Sequence, residues 1–486
     1  MHWTISKITQ TFAYSVLIAV GSLFTASYSA ANPADVRVLV DVSGSMKKAD
    51  PKAVRGPATA LLAALLPDQS RGGIWLFGSD VRELVPYGPV NARWDALARP
   101  IEASIGSTDR FTHMESALRT GINASGEQVA GACHVILITD GIVDVQGGKD
   151  ASTASRDRIL KTVLPDAIDK QCRIHTIALS AAADLPLLRQ MAIQTNGLFT
   201  LLDQPGDLIP VMLDALELAL RSQQLPIRNQ QIQVDSEIRQ LRLIRLGDQT
   251  PIELKSETLT VDSKVENSDI SYYSGNGYQT MIWSNPSPGR YTLTQPFGLM
   301  DRILLDSDVR LNFAELPPTI STDQTLGLNA SIVGPQGPLP STQREFRVAF
   351  GNDVDPIRFN GDQLAMQIDS PSIGRSILTV QSFDETYERQ IQRAFEVLTT
   401  QPALEIGSNM AQGVGVVGSS ITTQQDQSPE RIENKTSIVP EVVSEQLPEE
   451  LRDWPLWQLV VSALGAIALI ALIIGLVLRP THHEPK

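Results

Sequence analysis

The segment Asp41-Val42-Ser43-Gly44-Ser45 places one carboxylate and two hydroxyls at alternate positions, directly after the apolar run Val36 to Val40. Side chains at alternate positions of an extended backbone point the same way, so three oxygen ligands can converge on one point. A second acid, Asp140, ends the apolar run His134 to Thr139, and Thr112 opens a helix-period segment between the two runs. Because the set contains only oxygen donors, it predicts a site for a hard cation, Mg²⁺ or alternatively Mn²⁺ or Ca²⁺.

Strand-like and helix-like segments alternate over residues 32–223, and these elements must position the oxygen ligands. The predicted strands are Val36–Val40, Gly73–Phe77, His134–Thr139, Ile174–Leu179 and Leu198–Leu202. Three of them are nearly continuous apolar runs, as is typical of strands buried on both faces of a parallel sheet. The dipeptide Asp50-Pro51 predicts the start of the first helix. The pattern predicts a doubly wound α/β domain, in which ligands bind beyond the carboxyl ends of the strands.

The order Asp41, Ser43, Ser45, Thr112 and Asp140 resembles the metal-ion-dependent adhesion site of the von Willebrand factor A (VWA) family. The resemblance covers about residues 35–223 and implies the doubly wound fold. It also implies that the three hydroxyls coordinate the metal and that the two acids mostly hold metal-bound water. In this family, an acidic side chain of a partner completes the metal shell.

One position departs from the family pattern. Bacterial members often have Gly-Thr-Asn where this sequence has Phe111-Thr112-His113. Thr108 is the rival for the threonine ligand, and we prefer Thr112 because Ala117 and Leu118 follow it at the expected offset.

Simpler explanations exist for the individual residues. Asp140-Gly141 is an ordinary turn dipeptide, and Thr112 with Glu115 matches a helix capping box. The run Ser45-Met46-Lys47-Lys48 matches S-x-x-K, the nucleophile motif of penicillin-interacting enzymes. Its companion motifs, Lys-Thr-Gly and Ser-Asp-Asn, do not occur in the sequence. We therefore predict a metal site and no enzymatic activity.

The two ends of the chain predict export and anchoring. Residues 1–31 have the layout of a cleavable signal peptide, with an uncleaved anchor as the alternative. Residues 456–478 contain no charge and are long enough to cross a bilayer, and Arg479 and Lys486 follow them. Since the basic flank stays in the cytoplasm, we expect a single-pass protein of the bacterial inner membrane. Its large N-terminal part is then periplasmic, and residues 479–486 form a cytoplasmic tail.

The segment after the α/β domain has a different pattern of apolar and polar residues. Period-2 runs separated by turns predict two β-sandwich-like domains, residues 225–300 and 301–398. Residues 399–453 contain nine acids and three basic residues among many Gln, Ser and Pro, which predicts a flexible acidic linker.

Charge and cysteine content narrow the possible partners. The net charge is −14 and no cluster of five or more basic residues occurs in the sequence, which argues against nucleic acid as a partner. The even pair Cys133 and Cys172 in an exported protein suggests one disulfide. In the strand order implied by the VWA resemblance, the strands that follow these residues are neighbours, which agrees with a bridge. Two buried free thiols are the alternative.

Three functions fit these features. The first is a metal-dependent protein-binding or scaffold module of the cell envelope, which grips an acidic residue of an envelope protein. The second is a regulatory subunit of a membrane-associated AAA-plus ATPase or chelatase-type complex, since related A domains serve there. The third is a structural domain with a vestigial metal site.

Overall fold

A computed structural model describes residues 34–399 with seven gaps, which are 69, 125–132, 248–249, 263–267, 323–324, 352–355 and 369–372. The predicted signal peptide 1–31, transmembrane helix 456–478 and tail 479–486 lie outside the described residues, as does the predicted linker beyond residue 399. Among the described residues, no helix is long and apolar enough to span a bilayer.

The first part of the chain alternates strands and helices. Its strands are β1 (Asp35–Asp41), β2 (Arg71–Phe77), β3 (Val81–Pro89), β4 (Cys133–Thr139), β5 (Arg173–Ala178) and β6 (Phe199–Leu201). Its α-helices are α1 (Met46–Ala49), α2 (Arg55–Leu65), α3 (Ala92–Ala98), α4 (Met114–Ile122), α5 (Lys149–Arg158), α6 (Leu164–Asp169), α7 (Leu185–Gln194) and α8 (Leu208–Leu220). Short 3₁₀ segments cover Arg99–Ser104 and Pro205–Asp207, and a π-helical turn, Ile159–Val163, joins α5 to α6.

The second part is built from strands. They are β7 (Gln223–Gln224), β8 (Gln231–Val234), β9 (Ile238–Leu246), β10 (Leu254–Lys255), β11 (Thr260–Val261), β12 (Ile270–Gly275), β13 (Tyr278–Ser284), β14 (Gly289–Leu293), β15 (Arg302–Ser307), β16 (Arg310–Phe313), β17 (Thr319–Ser321), β18 (Leu326–Gly334), β19 (Gly337–Pro338), β20 (Glu345–Phe350), β21 (Ile357–Asn360), β22 (Gln363–Ile368), β23 (Gly374–Phe383) and β24 (Glu388–Leu398).

The first six strands form one sheet in the order β3-β2-β1-β4-β5-β6, parallel except for β3. Alternate residues of the central strands face opposite layers. Val38 and Ile136 pack under α2, α3 and α8, whereas Leu39 and Leu137 pack under α4, α6 and α7. The α/β domain with a parallel sheet is therefore as the sequence predicts.

The antiparallel edge strand β3 and the start of α2 differ from the sequence prediction. Strand β3 contains Pro86, which cannot donate to a sheet ladder and is tolerated at an edge, so its sequence did not suggest a strand. Helix α2 begins at Arg55 rather than at Asp50-Pro51. The Asp50 carboxylate still serves this helix start, because it accepts hydrogen bonds from the backbone N–H groups of Val54 (2.8 Å) and Arg55 (3.2 Å).

The β-rich region has two hydrophobic cores but shares one long sheet. Ten strands belong to this sheet, whose path runs β12-β13-β9-β15-β7-β24-β23-β20-β21 with β17 beside β24. The two-residue strand β7 pairs with β15 of the first core and with β24 of the second. Two smaller sheets complete the layers, one with β8, β10, β11 and β14 and the other with β16, β18, β19 and β22.

The expected break between residues 300 and 301 falls inside the first core. Asp301 accepts a hydrogen bond from the backbone N–H of Leu246 (2.8 Å), and β15 then pairs with β9. Ile303 and Leu305 pack in the first core, and the second core starts at Val309. Residues 302–307 thus complete the first sandwich because β15 supplies apolar side chains to its core.

Two ion pairs, one buried and one partly buried, join the α/β domain to the β-rich region. On α8, Glu217 accepts a hydrogen bond from Arg302 Nε (3.1 Å), and Asp214 pairs with Arg375. Apolar contacts also cross the junction, since Ile244 and Leu304 belong to the core under α2 and α8. The two regions therefore pack as neighbours with a shared apolar contact.

Candidate metal centre

Two acids lie at the carboxyl ends of the adjacent central strands of the parallel sheet. Strands β1 and β4 are parallel, with Val40 opposite Ile138, so Asp41 and Asp140 reach the same edge of the sheet. The chain leaves β1 for β2 on one side, while β4 lies on the other side. The acids thus stand at the point where strand order reverses, the usual ligand position in such sheets.

The side-chain oxygens of four of the five predicted residues lie close together. Ser43 Oγ lies 3.0 Å from Ser45 Oγ, and Ser45 Oγ donates to Asp140 Oδ1 at 2.8 Å. A Cβ atom placed on Gly141 would lie 3.5 Å from Thr112 Oγ1 and 3.8 Å from Ser45 Oγ. The three hydroxyls and the Asp140 carboxylate are therefore close enough to share one cation.

Asp41 lies just behind this group and is fully buried. Its Oδ1 accepts from the backbone N–H of Ser43 (2.8 Å), and its Oδ2 accepts from Thr139 Oγ1 (2.6 Å). The carboxylate thereby fixes the turn that presents Ser43. Burial raises the pKa of Asp41 to about 6, against the lowering effect of these hydrogen bonds.

Burial also raises the pKa of Asp140, although the hydrogen bond from Ser45 lowers it in part. The two carboxylates repel each other, which adds to the raised pKa of Asp41. Two desolvated acids at one point favour a bound cation, because a cation offsets the cost of their burial.

The capping-box explanation of Thr112 does not match the structure. Helix α4 begins at Met114 with His113 at its N-cap. The backbone N–H of Thr112 donates to the carbonyl of Asp144 (2.8 Å). Glu115 instead accepts from Ser155 Oγ (2.8 Å) and pairs with arginines on α4 and α5.

The rival threonine, Thr108, is engaged elsewhere. Its hydroxyl donates to Asp109 Oδ1 at 2.9 Å, and its backbone N–H donates to the carbonyl of Val42 (3.0 Å). Asp109 in turn accepts from the backbone N–H of Ser79 (3.0 Å) and pairs with Arg82 (3.0 Å). Thr108 therefore serves the loop that supports the site, and Thr112 Oγ1 is the threonine hydroxyl beside Ser45.

Sequence reasoning missed three supporting residues. Thr139, whose hydroxyl donates to Asp41, directly precedes Asp140 in the sequence. A hydroxyl at this strand end could therefore have been identified from the sequence. Asp50 and Arg55 form a fully buried ion pair at 2.8 Å, and Arg55 also donates to the carbonyl of Gly106 (2.8 Å). That pair ties the segment after Ser45 to the loop before Thr112, and no short motif marks it.

The opposite end of β4 carries different chemistry. Cys133 and Cys172 form a disulfide with a Cα–Cα distance of 4.5 Å, at the amino ends of β4 and β5. Beside it, His134 Nδ1 lies 2.9 Å from His175 Nε2, and both rings are buried. Burial lowers the pKa of His175 to about 3, so this ring is neutral.

The donor set fits a hard divalent cation. Ser43, Ser45 and Thr112 would offer hydroxyl oxygens, and Asp41 and Asp140 would offer charge and water acceptors. Among the described residues, no cluster of three or more His, Cys, Asp or Glu side chains has metal-ligand geometry. A site with two acids and three hydroxyls differs from such clusters, and it suits an ion that keeps several waters.

Comparison with known proteins agrees with the fold. The model of the family "von Willebrand factor type A domain" matches residues 35–208. None of the curated proteins matches the chain.

Solved structures similar to this chain include a von Willebrand factor type A protein from Catenulispora acidiphila, with 13% identity and a TM-score of 0.34. This match covers 69% of the present chain and 66% of that chain. BatB from Bacteroides thetaiotaomicron matches with 14% identity and a TM-score of 0.29, covering 37% of this chain and 96% of that one. Proximal thread matrix protein 1 from the mussel byssus, described with a zinc-occupied MIDAS motif, matches with 15% identity and a TM-score of 0.31, covering 43% of this chain and 51% of that one.

The parallel sheet, its strand order and the family match over residues 35–208 lead to the same assignment. This part of the chain is a von Willebrand factor type A domain, followed by a β-rich region.

Proposed function

We propose that this protein is a non-enzymatic binding module that uses a divalent cation to grip an acidic residue of a partner protein. The observation that carries the proposal is the meeting of Ser45, Thr112 and Asp140 at one point, with Asp41 buried behind them. Ser43, Ser45 and Thr112 would coordinate the ion directly. Mg²⁺ is the proposed ion, with Mn²⁺ or Ca²⁺ as alternatives, because all the donors are oxygens.

The low number of charged ligands supports a binding role. In the proposed site the direct protein ligands are neutral hydroxyls, and the two carboxylates act mostly through metal-bound water, so a water position remains that another oxygen ligand can take. A carboxylate from a partner is the natural choice, since it places an anionic oxygen directly on the ion in place of a neutral water. One such contact would give modest affinity, on the order of 4 to 8 kcal/mol, with the surrounding loops adding specificity.

The surroundings of Ser45 support binding over catalysis. In the S-x-x-K enzymes, Ser45 would be a nucleophile that acts with Lys48. Here Ser45 Oγ donates to Asp140, and the Lys48 side chain is exposed. A hydroxyl that donates to a carboxylate at a strand end is better placed as a metal ligand than as an activated nucleophile.

The proposed location is the periplasmic side of a bacterial inner membrane, with residues 456–478 as the anchor and 479–486 as the cytoplasmic tail. The disulfide between Cys133 and Cys172 supports an oxidising compartment, because such bonds persist outside the cytosol. The partner is then an envelope protein that presents an Asp or Glu side chain.

The test is capture of a partner from a bacterial membrane extract by the purified chain, with Mg²⁺ or with EDTA. A metal-dependent partner should be retained by wild type and by Thr108→Ala, and it should be lost with Thr112→Ala. Thr108→Ala is the matched control because its hydroxyl bonds Asp109.

A second arm converts the carboxylates of the extract to amides before capture. Loss of capture is expected, because the amide carries no charge for the metal. A partner that is retained equally with EDTA, with Thr112→Ala and after amidation would refute the proposed role. The VWA domain would then act as a structural element.

A further inference from the structure

A cavity lies at the amino end of the VWA sheet, between that domain and the β-rich region, and the metal site does not explain it. Its volume is about 360 Å³, which is within the range of small-molecule sites. The charged groups of its lining are four arginines and two acids, which are Arg173, Arg221, Arg310, Arg393, Asp308 and Glu315. Four positive charges against two negative ones leave the lining at a net charge of +2.

The two acids are already engaged by arginines. Both Arg173 and Arg221 contact the carboxylate of Glu315, one at each oxygen. Asp308 is paired with Arg239, which lies outside the cavity lining. Among the described residues, neither Arg310 nor Arg393 has a carboxylate within ion-pair distance, so these two guanidinium groups carry the excess charge.

The neighbouring positive charges affect the pKa values of the arginines that line the cavity. Burial lowers the pKa of Arg393 to about 10, and the charges of Arg221 and Arg310 lower it further, whereas Glu217 and Glu315 oppose this effect. Burial likewise lowers the pKa of Arg310; the charge of Asp306 opposes this effect, and Arg221 adds to the lowering. These arginines therefore repel one another across the cavity.

The backbone of Arg221 is a second, independent observation. It ends α8 in the left-handed conformation with a φ of 49°, where glycine is favoured. Its carbonyl accepts a hydrogen bond from Arg310 (3.3 Å). A non-glycine residue in this conformation is unfavourable, and Arg221 is one of the residues that line the cavity.

The histidine pair supplies a neutral donor to the same cavity. The backbone N–H of Leu198 donates to His175 Nδ1 (3.1 Å), so the proton of the neutral His175 ring is on Nε2. That Nε2–H donates to His134 Nδ1. Burial lowers the pKa of His134 well below its usual value, so its own proton is on Nε2. His134 is one of the residues that line the cavity.

We propose that this cavity binds a small oxyanion of the phosphate class with two negative charges, held by Arg310, Arg393 and His134. Guanidinium groups suit such a ligand because their planar N–H forks match oxyanion geometry. Arg310 and Arg393 come from the β-rich region and His134 comes from the VWA domain, so the bound anion would link the two.

The experiment is isothermal titration calorimetry of the purified full chain with inorganic phosphate, at a pH where phosphate is a dianion and with chloride to hold ionic strength constant. Wild type should show saturable binding. Arg310→Gln should bind phosphate at least tenfold more weakly. The exposed Arg358→Gln, which does not line the cavity, should bind like wild type.

Glu315→Gln gives a test of the opposite sign. It raises the lining charge from +2 to +3 and leaves Arg173 and Arg221 free for the ligand, so phosphate should bind several-fold more tightly. The Glu315 side chain is 45% exposed, so this variant should fold even if Arg310→Gln does not.

Succinate provides the arm that separates ligand classes. Tighter binding of phosphate than of succinate supports the phosphate class, whereas binding of succinate alone overturns it. The proposal is also overturned if wild type shows no saturable phosphate binding, or if Glu315→Gln leaves the phosphate affinity unchanged. The arginines would then serve only to hold the two regions together.

Discussion

The two ends of the VWA sheet use the same strands for opposite chemistry. At the carboxyl end, β1 and β4 finish beside Asp41 and Asp140, and hydroxyls surround these acids. At the amino end, β4 begins with Cys133 and His134, and arginines line the cavity next to them. Within the part of the chain that the structure describes, neither Asp41 nor Asp140 has an arginine or lysine within ion-pair distance, whereas the arginines that line the cavity outnumber its acids.

Helix direction is consistent with this placement of acidic and basic side chains. Helix α4 begins at Met114, two residues after Thr112, and α8 ends at Leu220 beside the arginine cavity. A helix N-terminus carries partial positive charge and favours anionic groups, whereas a C-terminus favours cations. In a doubly wound fold the helices run antiparallel to the strands, so acidic side chains are favoured at the carboxyl ends of the strands and basic ones at the amino ends. These side chains, rather than the helix dipoles, then suit one end to a cation and the other to an anion.

The largest expected effect is a loss of stability on removal of the disulfide at the amino end of the sheet. Replacing both Cys133 and Cys172 with alanine should lower the free energy of unfolding by about 4 kcal/mol, since the bond closes a loop of 39 residues. Metal affinity at the carboxyl end should not change, because the bridge lies at the far end of β4. Urea unfolding and metal titration of the same variant test both statements. A loss of metal affinity would show that the two ends are coupled.

The second effect breaks the support of the carboxyl end. Asp50→Ala leaves the fully buried Arg55 without its carboxylate, which should cost about 3 kcal/mol of stability. The matched control is Asp157→Ala, whose partner Lys161 is exposed, and no measurable change in stability is expected there. Equal stability of the two variants in urea unfolding would contradict the structural role given to the Asp50 and Arg55 pair.

The third effect is a pH dependence confined to the carboxyl end. The pKa of Asp41 is about 6 in the metal-free site, so protons compete with the cation below that pH. Metal affinity should therefore fall as the pH decreases, and at pH 5 it should be about tenfold weaker than at neutral pH. Mn²⁺ titrations from pH 5 to 8 measure this. A Mn²⁺ affinity that does not change between pH 5 and pH 8 would show that the ion binds at a site other than Asp41.

The smallest effect sharpens the assignment of the threonine. Thr112→Ala removes one hydroxyl ligand and should weaken Mn²⁺ binding on the order of fivefold, equivalent to about 1 kcal/mol. Thr108→Ala should leave the affinity unchanged because Thr108 bonds Asp109. If Thr108→Ala weakens Mn²⁺ binding more than Thr112→Ala does, Thr108 is the metal ligand and the assignment of Thr112 is wrong.

The sequence predicted the central strands and the residues at their ends because both are local signals. Continuous apolar runs mark β1 and β4, and an acid follows each run directly. The edge strand β3 has weaker apolar alternation and contains Pro86, so the pattern was not visible. The break at residue 301 was misplaced because β15 joins its sheet through pairing with β9, which is distant in the sequence.

The arginine cavity was beyond the reach of sequence reasoning. Arg173, Arg221, Arg310 and Arg393 lie on four separate segments and meet only after the β-rich region packs on the VWA domain. The same holds for the Arg55 contacts to the loop at Gly106, which depend on tertiary packing. Local patterns identify residues that share a strand end, and long-range pairing decides which strand ends meet.

The metal site is the central claim, and its most direct test is calorimetric titration of Mg²⁺ or Mn²⁺ into the full chain. Wild type should bind one ion, and Asp41→Ala and Asp140→Ala should each bind on the order of 100-fold more weakly, because each removes a charge that holds the ion. Asp166→Ala, an acid on α6 paired with exposed Lys170, serves as the control and should bind like wild type. Equal affinity in wild type, Asp41→Ala and Asp140→Ala would contradict the assignment of the site.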